Sequence, residues 1–202
     1  IRQVATVAQL RRTAGVATIR ENKHQGIHMT FQTDLKKVLI STPLGEMLLA
    51  ASERGLAGAW FTKGQKHLPD AKLMKSWPIA SKEDLVQPIL DKASQQLAAY
   101  FAGKLKVFDL PFDLASGTTF QQSVWREISK VDSGKTNTYG AICHAIQKPA
   151  AARAVGAAVG KNPISIIIPC HRIVGSTGAL TGYAGGLDRK VALLTLERES
   201  LF

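Results

Sequence analysis

From Met29 onward, apolar positions come in short runs cut by turn residues. "KKVLIST", "EMLLAAS" and "LAGAWFT" are parted by "PLG" and "ERG", whose glycines tolerate positive φ. This pattern predicts an antiparallel meander. A polar, Pro-containing stretch follows, and the period then becomes helical, with Leu85, Ile89, Ala93, Leu97 and Tyr100 on one face and Gly103 placed to end the helix. "KLKVFDLPFDLASGT" has neither period and reads as a connection between two units.

The second unit is denser in helix signals. "TTFQQSVWREISK" offers Thr118 or Thr119 as N-cap and sets Phe120, Val124, Trp125 and Ile128 on one face. "TYGAICHAI" and "AAARAVGAAVG" predict two short helices broken at Gln147, Lys148 and Pro149, which fits a helix-turn-helix. The second helix is nearly bare: Ala150, Ala151, Ala152, Ala154 and Gly156 offer nothing to a base edge, and only Arg153 projects far. A major-groove reader needs several long polar side chains, whereas a bare helix approaches a backbone closely and suits the minor groove. The same alanines equally suit plain helix packing with Arg153 as a surface charge. Beyond them the β-branched run "ISIII" predicts a strand that stops at Pro169 and presents Cys170, His171 and Arg172.

At 202 residues the chain supports one substantial core or two small ones, and 45% hydrophobic with 20% charged is ordinary globular composition. Twenty-six Lys and Arg against fifteen Asp and Glu leave a net charge of +11, which favours a polyanionic partner, nucleic acid first and an acidic membrane surface second. No apolar run approaches the length of a membrane span. Two cysteines make no disulfide framework, and five scattered histidines show no zinc-ligand spacing, so free thiols, a reducing compartment, no metal and no cofactor are expected. Residues 1–28 are arginine-rich with Glu21 as the single acid. They read as an added expression leader ending at His28, as the tail of a longer natural chain, or as a transit-like presequence; the first is preferred because new composition begins at Met29.

A cysteine is nucleophilic as thiolate, and a pKa of about 8.5 leaves only a minority ionised at neutral pH without a base or positive field. His171 is adjacent to Cys170, but neighbours along a strand point to opposite faces. A turn after Pro169 or a bridging water would restore a relay, with a carboxylate elsewhere to orient the imidazole. An isolated Cys-His dipeptide carries little weight.

The stretch is not isolated. "TYGAIC", "KPAAARAVGAAVGKNPISIIIPCHRIV", "GYAGGLDRK" and the downstream Glu197 together resemble the O6-alkylguanine-DNA alkyltransferases, also called methylated-DNA:protein-cysteine methyltransferases, in the standalone bacterial form or the C-terminal part of the Ada protein. "PCHR", preceded by "RAVG" and "NP" at this spacing, is the most specific part, and weaker similarity extends back through "GTTFQQSVW" and the meander. The resemblance implies an α+β protein: a ribonuclease-H-like domain over residues 29–112, then a mostly helical, winged-helix-like domain over 113–202. It further implies repair of double-stranded DNA. O6-alkylguanine, and O4-alkylthymine, would be flipped out and the alkyl group moved irreversibly to Cys170.

In that scheme His171 is the base acting through water, Glu197 the carboxylate that orients it, and Asn162 the hinge between the recognition helix and the Cys loop. Arg153 fills the place of the flipped nucleotide, Tyr139 presses on the phosphate and donates to the guanine ring, and Ala151, Ala152, Lys148 and Lys161 lie along the DNA. Backbone groups around Cys170, Ile173 and Ala184 bind the base, with Tyr183 as a pocket wall. Two departures bear on substrate range: Ala184 stands where the family often has Ser, and Thr181, where Gly is frequent, is expected to crowd the pocket mouth. The resemblance implies no zinc, a monomer, and a cytoplasmic location in bacteria or a nuclear one in eukaryotes. Two other classes compete: a module that binds alkylated bases without reacting, whose known examples lack the cysteine, and a Cys-His hydrolase, which leaves the alanine helix unexplained. Cys143, Trp60, Trp77 and Trp125 read as core, His144 as a surface or capping residue, His67 as unpartnered, and Gly185-Gly186 as only superficially a phosphate loop.

Overall fold

The computed structural model describes residues 30, 31 and 34–199. The expectation of a leader over residues 1–28 lies outside them.

The meander forms as β1 (Lys36–Ile40), β2 (Met47–Ser52) and β3 (Gly55–Phe61), antiparallel in the order β1-β2-β3. Its central strands are apolar without alternation because both faces are covered. One face packs on α2 (Gln87–Phe101) through Leu90, Ala93, Leu97 and Tyr100. The other carries a separate cluster in which the Phe31, Trp60 and Trp77 rings pack together, with Trp60 stacked on Trp77 at 6.1 Å between centroids. Gly58 belongs to that cluster by necessity, since a Cβ there would sit 1.7 Å from the Trp60 ring.

Leu85 departs from its expected place. It precedes α2 and is 77% exposed. The helix starts only at Gln87 because Pro88 suits the first turn, where its missing N–H costs nothing. At the other end Gly103 adopts φ +71° and closes the helix, as expected. A short helix absent from the sequence reading, α1 (Ala71–Ser76), is capped by Asp70, whose carboxylate accepts from the N–H groups of Lys72 and Leu73.

The connection over residues 104–118 runs along β3, where the Leu56 N–H donates to the Pro111 carbonyl at 2.8 Å and the Asp113 N–H to the Leu56 carbonyl at 2.9 Å. It leads into α3 (Thr119–Ile128), capped by Thr118 in a reciprocal capping box with Gln121. Trp125, fully buried on α3, donates its indole N–H to the Ala158 carbonyl at 2.8 Å and so ties α3 to α5 (Ala152–Gly160). The helix-turn-helix is α4 (Tyr139–Ala145), capped by Thr138, followed by α5, with Gln147 at φ +58° in the turn. Cys143 and the three tryptophans are buried, and His144 is exposed.

The strand expected before Cys170 does not form. Ile164 makes a single bridge to Ala59 of β3, Ile166 then turns at φ +72°, and Cys170–Arg172 is a 3-10 turn. The reason is Asn162. Its Nδ2 donates to the carbonyls of Ile164 and Ile168 while its Oδ1 accepts from the Ile164 N–H at 3.0 Å, occupying groups a strand would pair. The isoleucines are buried in the core without joining a sheet. Among the described residues, regular pairing comes after the thiol, where β5 (Ile173–Val174) lies parallel to β4 (Asn137–Thr138). Helix α6 (Leu187–Glu199) then returns the chain to the turn.

Candidate functional site

Four segments converge on Cys170. The thiol is 4% exposed and borders a cavity of about 260 Å³ lined by Tyr139 of α4, Gly156, Val159 and Gly160 of α5, residues 182–184, and Lys66 and His67 of the loop after β3. Gly156 has no packing reason to be glycine: a Cβ there would meet no atom within 4 Å. The helix presents only Gly156, Val159 and Gly160 to the cavity, and Ala152, Arg153, Ala154 and Ala157 are exposed.

The 3-10 turn decides how thiol, imidazole and carboxylate relate. Asn162 Nδ2 lies 3.1 Å from Cys170 Sγ as a donor, so one side chain shapes the turn and touches the sulfur. His171, fully buried, places Nε2 at 2.8 Å from Glu197 Oε1. A carboxylate only accepts, so Nε2 carries the proton and Nδ1 is left with its lone pair, buried and without a protein partner among the described residues. That lone pair is free to accept a proton.

Electrostatics favour this arrangement. Burial lowers the His171 pKa, against the pull of Glu197, and keeps the ring neutral. Burial would raise that of Glu197, but hydrogen bonds from His171 and Arg172 and their charges outweigh it and hold the carboxyl ionised, well below its ordinary range. Arg172, adjacent to His171, grips Glu197 through Nε and Nη2 and donates to the Val131 carbonyl at 2.5 Å. The Gly134 N–H and the Tyr100 hydroxyl also donate to Glu197. Burial raises the Cys170 thiol to about 11, opposed by the Asn162 hydrogen bond and the Lys190 charge. The resting sulfur is therefore a thiol.

Lys190 is fully buried on α6 and donates Nζ to the carbonyls of Ile173 (2.7 Å) and Thr181 (2.9 Å). Sequence reasoning passed over it, as it did Arg172 and Tyr100. The signal for Lys190 was faint: a lysine on a helix is ordinarily solvated, and only its neighbours reveal the burial. His67, read as unpartnered, stands at the cavity wall, with its Nε2 3.9 Å from where a Gly160 Cβ would lie. Lys66 is held there by its N–H on the Ala184 carbonyl at 2.8 Å.

Of the other expected residues, Tyr139, Tyr183 and Ala184 line the cavity. Thr181 is exposed and donates Oγ1 to the Tyr139 hydroxyl at 3.1 Å. Ile173 does not line the cavity, and both its backbone groups are engaged, the N–H on Cys170 and the carbonyl on Lys190. The Lys148 and Arg153 side chains are exposed, and neither makes a hydrogen bond or ion pair among the described residues; Lys161 is half-exposed at the end of α5. A larger groove of about 580 Å³ near β1 and β2 shares no lining residue with this cavity, and it includes Lys36 and Asp84, paired at 3.2 Å.

Comparison with known proteins bears on both domains. Residues 35–114 match the ribonuclease-like domain of 6-O-methylguanine DNA methyltransferase, and residues 119–199 match its DNA binding domain. A methylated-DNA–protein-cysteine methyltransferase of Methanosarcina barkeri is 47% identical over 163 residues, covering 81% of this chain and 97% of that one. The crystal structure of Mycobacterium tuberculosis OGT in complex with DNA superposes with a TM-score of 0.70 at 41% identity, over 80% of this chain and 92% of that one. The O6-methylguanine methyltransferase structure from the same organism gives 0.71 at 40%, over 82% and 94%. With both domains matched in order and the relative covered almost end to end, the chain belongs to the 6-O-methylguanine DNA methyltransferase family.

Proposed function

We propose that this protein repairs alkylated double-stranded DNA by accepting the alkyl group from O6 of guanine onto Cys170, once per molecule. The observation that carries the reading is a single cavity bordered by a buried thiol and by the bare face of a helix-turn-helix helix, with a neutral imidazole beside the thiol held by a carboxylate. Guanine O6 inside a duplex is out of reach of a thiol, so the nucleotide must be extruded at a cost of a few kcal/mol. Arg153, exposed on the otherwise bare α5, supplies the side chain that fills the gap.

The transfer then balances as follows. His171 Nδ1 takes the Cys170 proton through a water, while Glu197 stabilises the imidazolium. The sulfur attacks the alkyl carbon, an S–C bond forms, and the C–O bond breaks with its electron pair going to guanine O6. The Tyr139 hydroxyl donates to the ring nitrogen as negative charge develops there. The proton held on the imidazolium returns through water to the guanine anion, which ends protonated at N1, so the products are a thioether, a neutral imidazole and an unmodified guanine. The thioether has no easy way back, so the protein is consumed.

Dividing the chain at 112–113 puts Cys170, His171 and Glu197 in one domain and the sheet with α2 in the other. The work is done wherever the DNA lies, the cytoplasm of a bacterium or the nucleus of a eukaryote. Incubation with a duplex containing O6-methylguanine, followed by intact-mass and peptide analysis, tests the reading: one methylene is gained stoichiometrically on the Cys170 peptide. Binding without mass gain would instead indicate a recognition module, and multiple turnover would indicate a hydrolase.

A further inference from the structure

Glu197 Oε1 receives three donors at 2.8 Å: His171 Nε2, Arg172 Nη2 and Tyr100 Oη. The first two belong to the same short turn as the thiol. The third comes from α2, 97 residues away, on the other side of the connection between the two domains. Tyr100 is 2% exposed and is held from the sides by the rings of Phe101 and Phe108, at 5.5 and 5.4 Å between centroids. Burial and the neighbouring Glu197 charge push its phenol far above the ordinary value, so the hydroxyl is always a donor.

We infer that Tyr100 is a positioning residue of the transfer reaction, by which the ribonuclease-like domain sets the basicity of the Glu197–His171 pair. The inference rests on the function proposed above. A hydrogen bond to a carboxylate oxygen withdraws charge from it. With Tyr100 in place, Oε1 anchors the His171 N–H but attracts the imidazolium less. Without it, more charge faces His171, the imidazolium is stabilised, and a higher pH is needed to free the Nδ1 lone pair. The other groups around the pair stay as they are: Arg172 on both carboxylate oxygens, the Gly134 N–H on Oε2, Cys170 in the same turn, Lys190 from α6, and Tyr183 edge-on to the ring at 6.3 Å. The first domain is thus one hydrogen bond from the carboxylate and two from the base.

Tyr100→Phe in the full chain is the test, because Phe keeps the ring packing and leaves Glu197 its remaining donors. Single-turnover methyl transfer from O6-methylguanine duplex is followed across pH 5–9, with a melting curve as a check on folding. The acid limb of the rate profile is expected to move up by about one unit, with the plateau at high pH lowered only a few-fold. A ¹⁵N titration of the His171 ring in the Cys170→Ala background, with and without Tyr100→Phe, gives a second reading that needs no transfer, and its midpoint is expected to rise by the same amount. If unsubstituted protein takes up no methyl group, the proposed function fails while the titration still decides the role of Tyr100. An unmoved His171 midpoint, or a uniform rate loss at every pH, overturns the inference and reduces Tyr100 to a packing residue.

Discussion

Helix α5 and the turn that follows it are neighbours in sequence and opposites in design. Along α5, Ala152, Arg153, Ala154 and Ala157 face solvent, and Arg153 has no partner among the described residues. Two to twelve residues past its end, Asn162, Cys170, His171 and Arg172 are all buried, and each makes at least one hydrogen bond to a neighbour. The difference teaches where each task can be performed. Phosphates are met by charges left free in water, where contact releases counterions. Proton transfer is served by a site closed to bulk water in which donors and acceptors are already aimed.

The largest effect expected is at the sulfur. Cys170→Ala abolishes methyl transfer, measured as mass gain, while duplex affinity is kept and stability changes by only about 1 kcal/mol, since Asn162 retains its carbonyl partners. Residual transfer in this variant would place the nucleophile elsewhere and dissolve the contrast.

Next comes Glu197→Gln. Sequence reasoning alone expects slower transfer with binding intact, but the structure adds a stability cost, because Arg172 would be left buried without its counter-charge. Transfer should slow by about 10²-fold or more, and urea melts should show a loss of about 3–5 kcal/mol. If stability does not change, the turn is not held together by this carboxylate.

On the exposed side, Arg153→Ala should slow repair of duplex by about tenfold or more while reaction with free O6-alkylguanine is unchanged, since only the duplex presents a gap to fill. Its stability should stay within about 0.5 kcal/mol of the parent. Equal losses on both substrates would remove the gap-filling role.

Acid sharpens the comparison from the buried side. The Glu197 pKa is lowered in the fold, so its contribution to stability is complete above the unfolded value near 4.5 and is lost as pH falls through the folded value. That of His171 is also lowered, so the unfolded chain takes up this proton first, and stability begins to decline below about 6.5. Urea midpoints between pH 3 and 7 should therefore fall with pH, and less steeply in Glu197→Gln. The smallest effect is Lys148→Ala, which should lower the salt dependence of binding to undamaged duplex by about one unit of slope and leave transfer unchanged.

Elements governed by local rules were legible in the chain. The meander followed from apolar runs between turn residues, the start of α3 from a cap at Thr118 or Thr119, of which Thr118 serves, and the end of α2 from Gly103. The bare face of α5 could be read directly, because an absence of long side chains needs no partner to be seen. The resemblance of "PCHR" and Glu197 to a known family pointed to the pair that lies 2.8 Å apart, a distance no local pattern encodes.

Other features depended on which backbone and carboxylate groups a side chain captures once the chain is folded. Four isoleucines in five positions satisfy every local criterion for a strand, yet the side chain of Asn162 took the backbone groups that a strand needs, and the run turned into the core. Lys190 and Arg172 look like surface cations until the carbonyls and the carboxylate that accept from them are brought near. Lys66 and His67 reach the cavity wall, and Tyr100 reaches Glu197, only because the first half of the chain packs against the second. Composition, period and capping are short-range properties that the sequence determines by itself. Burial of a charge, and the number of donors on one carboxylate oxygen, depend on contacts 9 to 97 residues apart, which only the tertiary structure decided.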